Sequence, residues 1–150
     1  MARMKSASDD TGYPTAEEAE RAFYRAFANL SLGEMGRVWA ADGIACIHPG
    51  GPLLTGREAV LESWDRILGA GTSPDLSYET VLIQASGDLS THMVRETLGS
   101  TTERGAVVVQ AVNVYRRQSG GWRMVLHHAT PPRTRQIHGK TVSAPPGMMQ

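Results

Sequence analysis

The 150-residue chain holds one cysteine, Cys46. No internal disulfide can form, and no cluster of thiolates is available for zinc or an iron–sulfur centre. Stability must therefore come from packing, and the cysteine usage reads as cytoplasmic. An excess of either charge is also missing. The sequence has 15 Lys and Arg against 15 Asp and Glu, and no basic run offers a footprint for a phosphate backbone, so nucleic acid is not expected as a partner. No apolar stretch reaches the roughly 18 residues of a spanning helix. The first 14 residues lack the apolar centre of a signal peptide, so neither membrane insertion nor secretion is expected. What remains is the length of one ordinary domain, with 41% hydrophobic residues available for a core.

The two ends are polar and punctuated by Gly and Pro. Residues 1–14 and 132–150 read as a disordered and a flexible tail around a domain at 15–131, because such segments bury too little apolar surface to offset ordering entropy. Within the domain, Thr15 with Glu18 three residues later is a capping box. Ala19, Phe23, Ala26, Phe27 and Leu30 then share one helical face, and Glu17, Arg21 and Arg25 occupy the other. Gly33 is expected to end this stretch, and Met35, Val38 and Trp39 form a second short apolar stripe before the Asp42-Gly43 turn. A strand over Ile44–His48 is closed by PGGP. Thr55 with Glu58 repeats the capping-box pattern ahead of Val60, Leu61, Trp64, Ile67 and Leu68, a third helix ended by Gly69. The segments LSYETVLIQA, LSTHMVRETL, AVVVQAVNVYRRQ and WRMVLHHAT, joined by short Gly-containing turns, read as four antiparallel strands. Helices first and a meander afterwards predict an α+β domain: a curved, mainly antiparallel five-stranded sheet with three helices on its concave face, enclosing a cone-shaped pocket.

This order, together with Trp39-Ala-Ala-Asp-Gly-Ile-Ala-Cys-Ile-His-Pro, Leu-Thr-Gly-Arg-Glu-Ala-Val from Leu54, and Asn113-Val-Tyr-Arg-Arg followed by Gly-Gly-Trp122-Arg-Met-Val-Leu-His-His, resembles the nuclear transport factor 2-like fold, a cystatin-like roll. Its SnoaL-like and ketosteroid-isomerase-like branches and the association domain of calcium/calmodulin-dependent kinase are the similar members. In the isomerase pattern an Asp-Pro at the end of the first strand supplies a general base. Here the position reads His48-Pro49, and an imidazole with a pKa of about 6.5 keeps base chemistry available. The resemblance also implies an oxyanion hole formed by a helical tyrosine and a strand acid. The tyrosine position falls on Phe23, with Tyr24 displaced toward the pocket edge, and the acid position is met by Glu96 or by neutral Asn113.

Strand alternation places Val107, Val109, Ala111, Asn113 and Tyr115 on one face, and Trp122, Met124, Leu126 and His128 on one face of the last strand. The expected ligand-binding set is therefore Tyr24, Trp39, Trp64, Glu96, Asn113 and His128, with His48 as the catalytic candidate. The alternative for Asn113 and His128 is a purely structural pair, and for the two tryptophans it is core packing. Cys46 reads as a small buried hydrophobe. No metal site is expected: His127 and His128 point to opposite faces, and His92 and Glu96 lie about 13 Å apart along one strand. Two functions follow. One is a cofactor-free isomerase, cyclase or dehydratase acting on a small apolar carbonyl compound through proton transfer. The other is a non-catalytic ligand-binding or dimerisation module, and in either case a homodimer through the sheet is expected.

Overall fold

The computed structural model describes residues 12–71, 75–99, 106–132, 135–137 and 140–142. Helix α1 spans Ala16–Ala28, with the Thr15 hydroxyl accepting from the Glu18 amide as the capping box requires. Its buried residues include Ala19, Ala22, Phe23 and Ala26, while Glu17, Arg21 and Arg25 face solvent. The helix ends earlier than its apolar face suggests. Leu30 takes a left-handed φ of 54°, and the Ser31 amide bonds back to the Ala26 carbonyl. Ser31 then caps α2, Leu32–Val38. Gly33, expected to terminate a helix, lies inside this one.

Strand β1 covers Ala45–Ile47 and β2 covers Leu54–Thr55. Helix α3 follows at Arg57–Gly69, then β3 at Leu76–Ser86, β4 at Leu89–Leu98, β5 at Val107–Gln118 and β6 at Gly121–Ala129. The capping box expected at Thr55 is not formed. Thr55 is paired in β2, and the N-cap is Gly56 at φ 86°, whose amide bonds to the Ile44 carbonyl. Only glycine holds that φ without a Cβ clash, so the strand-to-helix corner selects it.

The three helices pack on one face of a curved sheet whose order is β2-β1-β6-β5-β4-β3. The sheet has six strands rather than five, because Leu54–Thr55 adds an edge. It is antiparallel except where β1 runs parallel to β6. Two irregularities set which side chains enter the interior. β3 slips by one residue between Thr80 and Leu82, and β6 by one residue opposite Val114 and Tyr115. Each extra residue reverses the alternation beyond it.

A further pair, β7 at Arg135–Ile137 and β8 at Lys140–Val142, forms a separate two-stranded sheet within the segment expected to be a tail. At the other end Tyr13 exchanges backbone hydrogen bonds with Trp122. Residues 1–11, 133–134, 138–139 and 143–150 of the expected tails lie outside the described residues.

Candidate functional site

The interior between α1, α3 and the sheet is lined by polar side chains that local geometry delivers one at a time. On α1, Glu20 and Tyr24 lie one helical turn apart on the sheet-facing side. On β4, Ser90, His92, Val94 and Glu96 alternate inward, and His92 is paired across the ladder with Asn113 of β5, which is paired in turn with His127 of β6.

One chain of hydrogen bonds runs through the centre. The Tyr24 hydroxyl donates to Glu96 Oε2 at 2.6 Å and accepts from Asn113 Nδ2 at 2.9 Å; Asn113 Oδ1 lies 2.6 Å from His127 Nδ1. Tyr24, expected at the pocket edge, is thus buried and stacked on Tyr78 with ring centres 4.1 Å apart. Phe23, at the position expected for the tyrosine, packs between Tyr24, Trp64 and His127.

Burial pushes the Glu96 carboxyl up to about 7; the bond from Tyr24 opposes this and the nearby Glu20 adds to it. Burial, with Glu96 beside it, holds the Tyr24 phenol well above its ordinary range. Desolvation, with His48 and His128 contributing, drives His127 down to about 3.

His48 does turn inward. It is 7% exposed and its Nε2 is 2.9 Å from Ser63 Oγ, with the ring edge-on to Trp64 at 4.9 Å and 6.5 Å from the His127 ring. Burial lowers its pKa to about 4, and Arg66 adds to that shift, so it is a weak proton acceptor at neutral pH. Cys46 is buried with Sγ 3.7 Å from His48 Nε2, and burial pushes its thiol up to about 12. An unionised thiol at that value is no nucleophile.

Of the expected set, Tyr24, Glu96 and Asn113 come together directly, and Trp64 sits against His48 and His127. Trp39 is a core residue beside Met124, apart from this chain. His128 is a correction: it is exposed on the opposite face, and His127 takes the inward place, because the slip at Val125 reverses the alternation that Trp122 and Met124 begin. The structural pairing foreseen for Asn113 exists with His127 instead.

Sequence reading missed a second buried cluster. Glu20 Oε2 lies 2.8 Å from His92 Nδ1 and accepts from Tyr115 at 3.3 Å, Thr80 donates to Glu20 Oε1, and His92 Nε2 lies 2.8 Å from Ser90 Oγ. The spacing of four from Glu20 to Tyr24 on the helix was the available signal. Among the described residues, no group of three His, Cys, Asp or Glu side chains is close enough to hold a metal ion, and no helix is long and apolar enough to cross a membrane.

These features can be set beside known proteins. A crystal structure from Thiobacillus denitrificans, described as a calcium/calmodulin-dependent protein kinase type II association domain, is 42% identical. It matches 83% of this chain and all of that one, with a TM-score of 0.77. One from Streptomyces avermitilis, described as a dehydratase of the NTF2-like family, is 28% identical over 77% of this chain and 92% of that one, with a TM-score of 0.67. The F-box protein SKIP8 of Arabidopsis thaliana is 27% identical over 109 residues; these are 72% of this chain but 46% of that protein, so the chain spans about half the length of this curated relative. The family model described as a SnoaL-like domain matches residues 16–134, a span that contains helices α1–α3 and strands β1–β6. The chain therefore belongs to the SnoaL-like domain family, within the nuclear transport factor 2-like superfamily.

Proposed function

We propose that this domain binds a small, largely apolar carbonyl compound in its interior and that Glu96 exchanges a proton with it, as an isomerase, cyclase or dehydratase step requires. The observation that carries this reading is the Tyr24–Glu96 pair, in which a buried carboxyl with a pKa of about 7 is held at 2.6 Å by a phenol. A carboxyl balanced near neutrality accepts a proton in one half of a reaction and returns it in the other. Its partner, a phenol well above its ordinary range, stays protonated and steadies the ionised carboxylate. Asn113 holds the phenol, and His127 holds Asn113. Glu96 thus takes over the role first assigned to His48, whose lowered pKa suits neutral hydrogen bonding. The likeness to the Streptomyces avermitilis structure described as a dehydratase supports this class of chemistry. No cofactor is invoked.

The test is exchange of α-protons of cyclic ketones and enones into D2O, followed by proton NMR. Wild-type protein is expected to accelerate exchange above the buffer rate, with the rate climbing through pH about 7 as Glu96 ionises. Glu96→Gln should abolish the acceleration, and Tyr24→Phe should reduce it by about tenfold to a hundredfold. No acceleration by wild type, or equal acceleration by Glu96→Gln, would refute the reading.

A second reading, an assembly module, is favoured by one specific observation. The outer sheet face carries Val81, Leu82, Met93 and Val108 exposed to solvent, and the Thiobacillus denitrificans relative is described as an association domain. The two readings use opposite faces of the sheet and are compatible.

A further inference from the structure

The tautomers of the two interior imidazoles follow from their partners. The Ser63 hydroxyl gives its only proton to the Val60 carbonyl at 2.6 Å, so at 2.9 Å from His48 it can only accept, and His48 must carry its proton on Nε2. That leaves His48 Nδ1 as a bare lone pair. Asn113 spends its amide donor on Tyr24, so its carbonyl oxygen faces His127, and His127 must carry its proton on Nδ1. That leaves Nε2 bare. Neither bare nitrogen has a partner among the described residues. Both rings are held neutral at pH 7 by burial, so both are acceptors and neither has a spare donor.

Near both rings lies an orphaned donor. The Trp64 indole sits 4.9 Å from the His48 ring and 5.9 Å from the His127 ring, and its Nε1–H is buried with no acceptor among the described residues. A buried polar group without a partner is costly and calls for an explanation.

Resting on the proposed interior ligand site, we infer that His48, His127 and Trp64 form a hydroxyl-recognition subsite that selects apolar alcohols or phenols. A hydroxyl is the simplest group that donates to a bare imidazole nitrogen and accepts from an indole N–H with the same oxygen. A ketone or ether oxygen can serve only Trp64, and an ammonium only the imidazoles. An anion would meet two lone pairs and one donor. The substrate class becomes a hydroxy-carbonyl compound, with its reacting centre at Glu96 and its hydroxyl at the imidazole pair.

Two measurements test this. Long-range proton–nitrogen NMR of the wild-type protein at pH 7 should find His48 as the Nε2–H tautomer and His127 as the Nδ1–H tautomer; the reverse assignment at either ring overturns the inference without a ligand. Titration with phenol and its methyl ether anisole, followed by amide shifts, should then show phenol binding at least tenfold tighter, with the preference lost when both acceptors are removed in the His48→Phe, His127→Phe double variant. Equal binding of the two probes overturns the subsite while leaving the interior site and Glu96 intact. Binding of neither probe overturns it as well, and the ketone-exchange assay then decides separately whether the proposed function survives.

Discussion

Glu96 makes a prediction that needs no ligand. Its folded pKa of about 7 lies above the ordinary 4.5, so the interior favours its neutral form. The stability it contributes is complete below about pH 4.5 and is lost as pH rises through 7. His48 and His127 act in the opposite sense. Their folded values of about 4 and about 3 lie below the ordinary 6.5, so their contribution is complete above about pH 6.5 and is lost on acidification. Between about pH 4.5 and 6.5 the two effects compete, and a pH profile of the wild type alone would mix them. The difference between wild type and Glu96→Gln isolates the carboxyl. Urea unfolding should show the variant gaining on the wild type by roughly 3 kcal/mol from pH 4.5 to pH 8; a difference that stays flat with pH would mean that Glu96 titrates normally.

Glu20 belongs to the same scale. It accepts hydrogen bonds from Thr80 and Tyr115 and pairs with His92, so Glu20→Leu strands three polar groups in the interior. It should cost at least about 3 kcal/mol by urea denaturation. Glu20 does not stand out in the sequence as an interior group, because it lies beside an apolar stripe that already accounts for the helix. Burial of a carboxylate becomes readable only when its partners, here more than 50 residues away, are placed in space.

At the scale of elements, one side chain supplies the hydrogen bonds that tie α3 to the end of α2. Arg57 at the start of α3 donates to the carbonyls of Gly36, Trp39 and Ala40 at 2.7, 3.1 and 3.3 Å. Gly36 and Trp39 lie at the C-terminal end of α2, whose carbonyls lack helical partners and carry partial negative charge. The clamp accounts for the Leu-Thr-Gly-Arg phrase: Gly56 turns the corner and Arg57 reaches back across it. Arg57→Met keeps most of the volume and removes the donors, and should cost about 1.5–3 kcal/mol with little change in the interior site. An unchanged denaturation midpoint would show that water replaces the clamp. The strand spans of the meander were legible because alternation and turn residues agree there. The bulges were not, since one extra residue leaves the local hydropathy pattern nearly unchanged while it reverses every side chain beyond it. That is why His128 was read as inward and His127 was overlooked. Likewise, Leu54–Thr55 is too short to carry a strand signal of its own, and its pairing partner Ala45–Cys46 decides it.

For the whole molecule, the informative surface is the sheet face that none of the described helices covers. Cross-strand register places Leu82, Met93, Val112 and His128 in one row across four strands, with Leu82 49% and Met93 41% exposed. Val108 lies on the same face, and a depression of about 200 Å³ bounded by Val81, Met93, Arg95 and Gln110 adjoins it. Isolated exposed apolar residues are ordinary, but a row of them spanning a twisted sheet matches what a second sheet packed about 10 Å away would cover. A second copy of this chain is the proposed partner, because a face shared by identical sheets is self-complementary about a twofold axis. A stable contact needs roughly 800 Å² from each partner, which the row and its flanking residues must supply. Light scattering after size exclusion should therefore give twice the chain mass at micromolar concentration, with little dependence on salt, since the row is apolar. Met93→Lys places a charge at the middle of the row and should yield the single-chain mass with an unchanged far-ultraviolet circular dichroism spectrum. Because the interior groups lie on the other side of the sheet, this variant should retain the phenol preference and the ketone exchange of the wild type. Loss of both with the dimer would mean that assembly shapes the interior, and a wild type that runs as a single chain would remove the sheet face as an interface between copies.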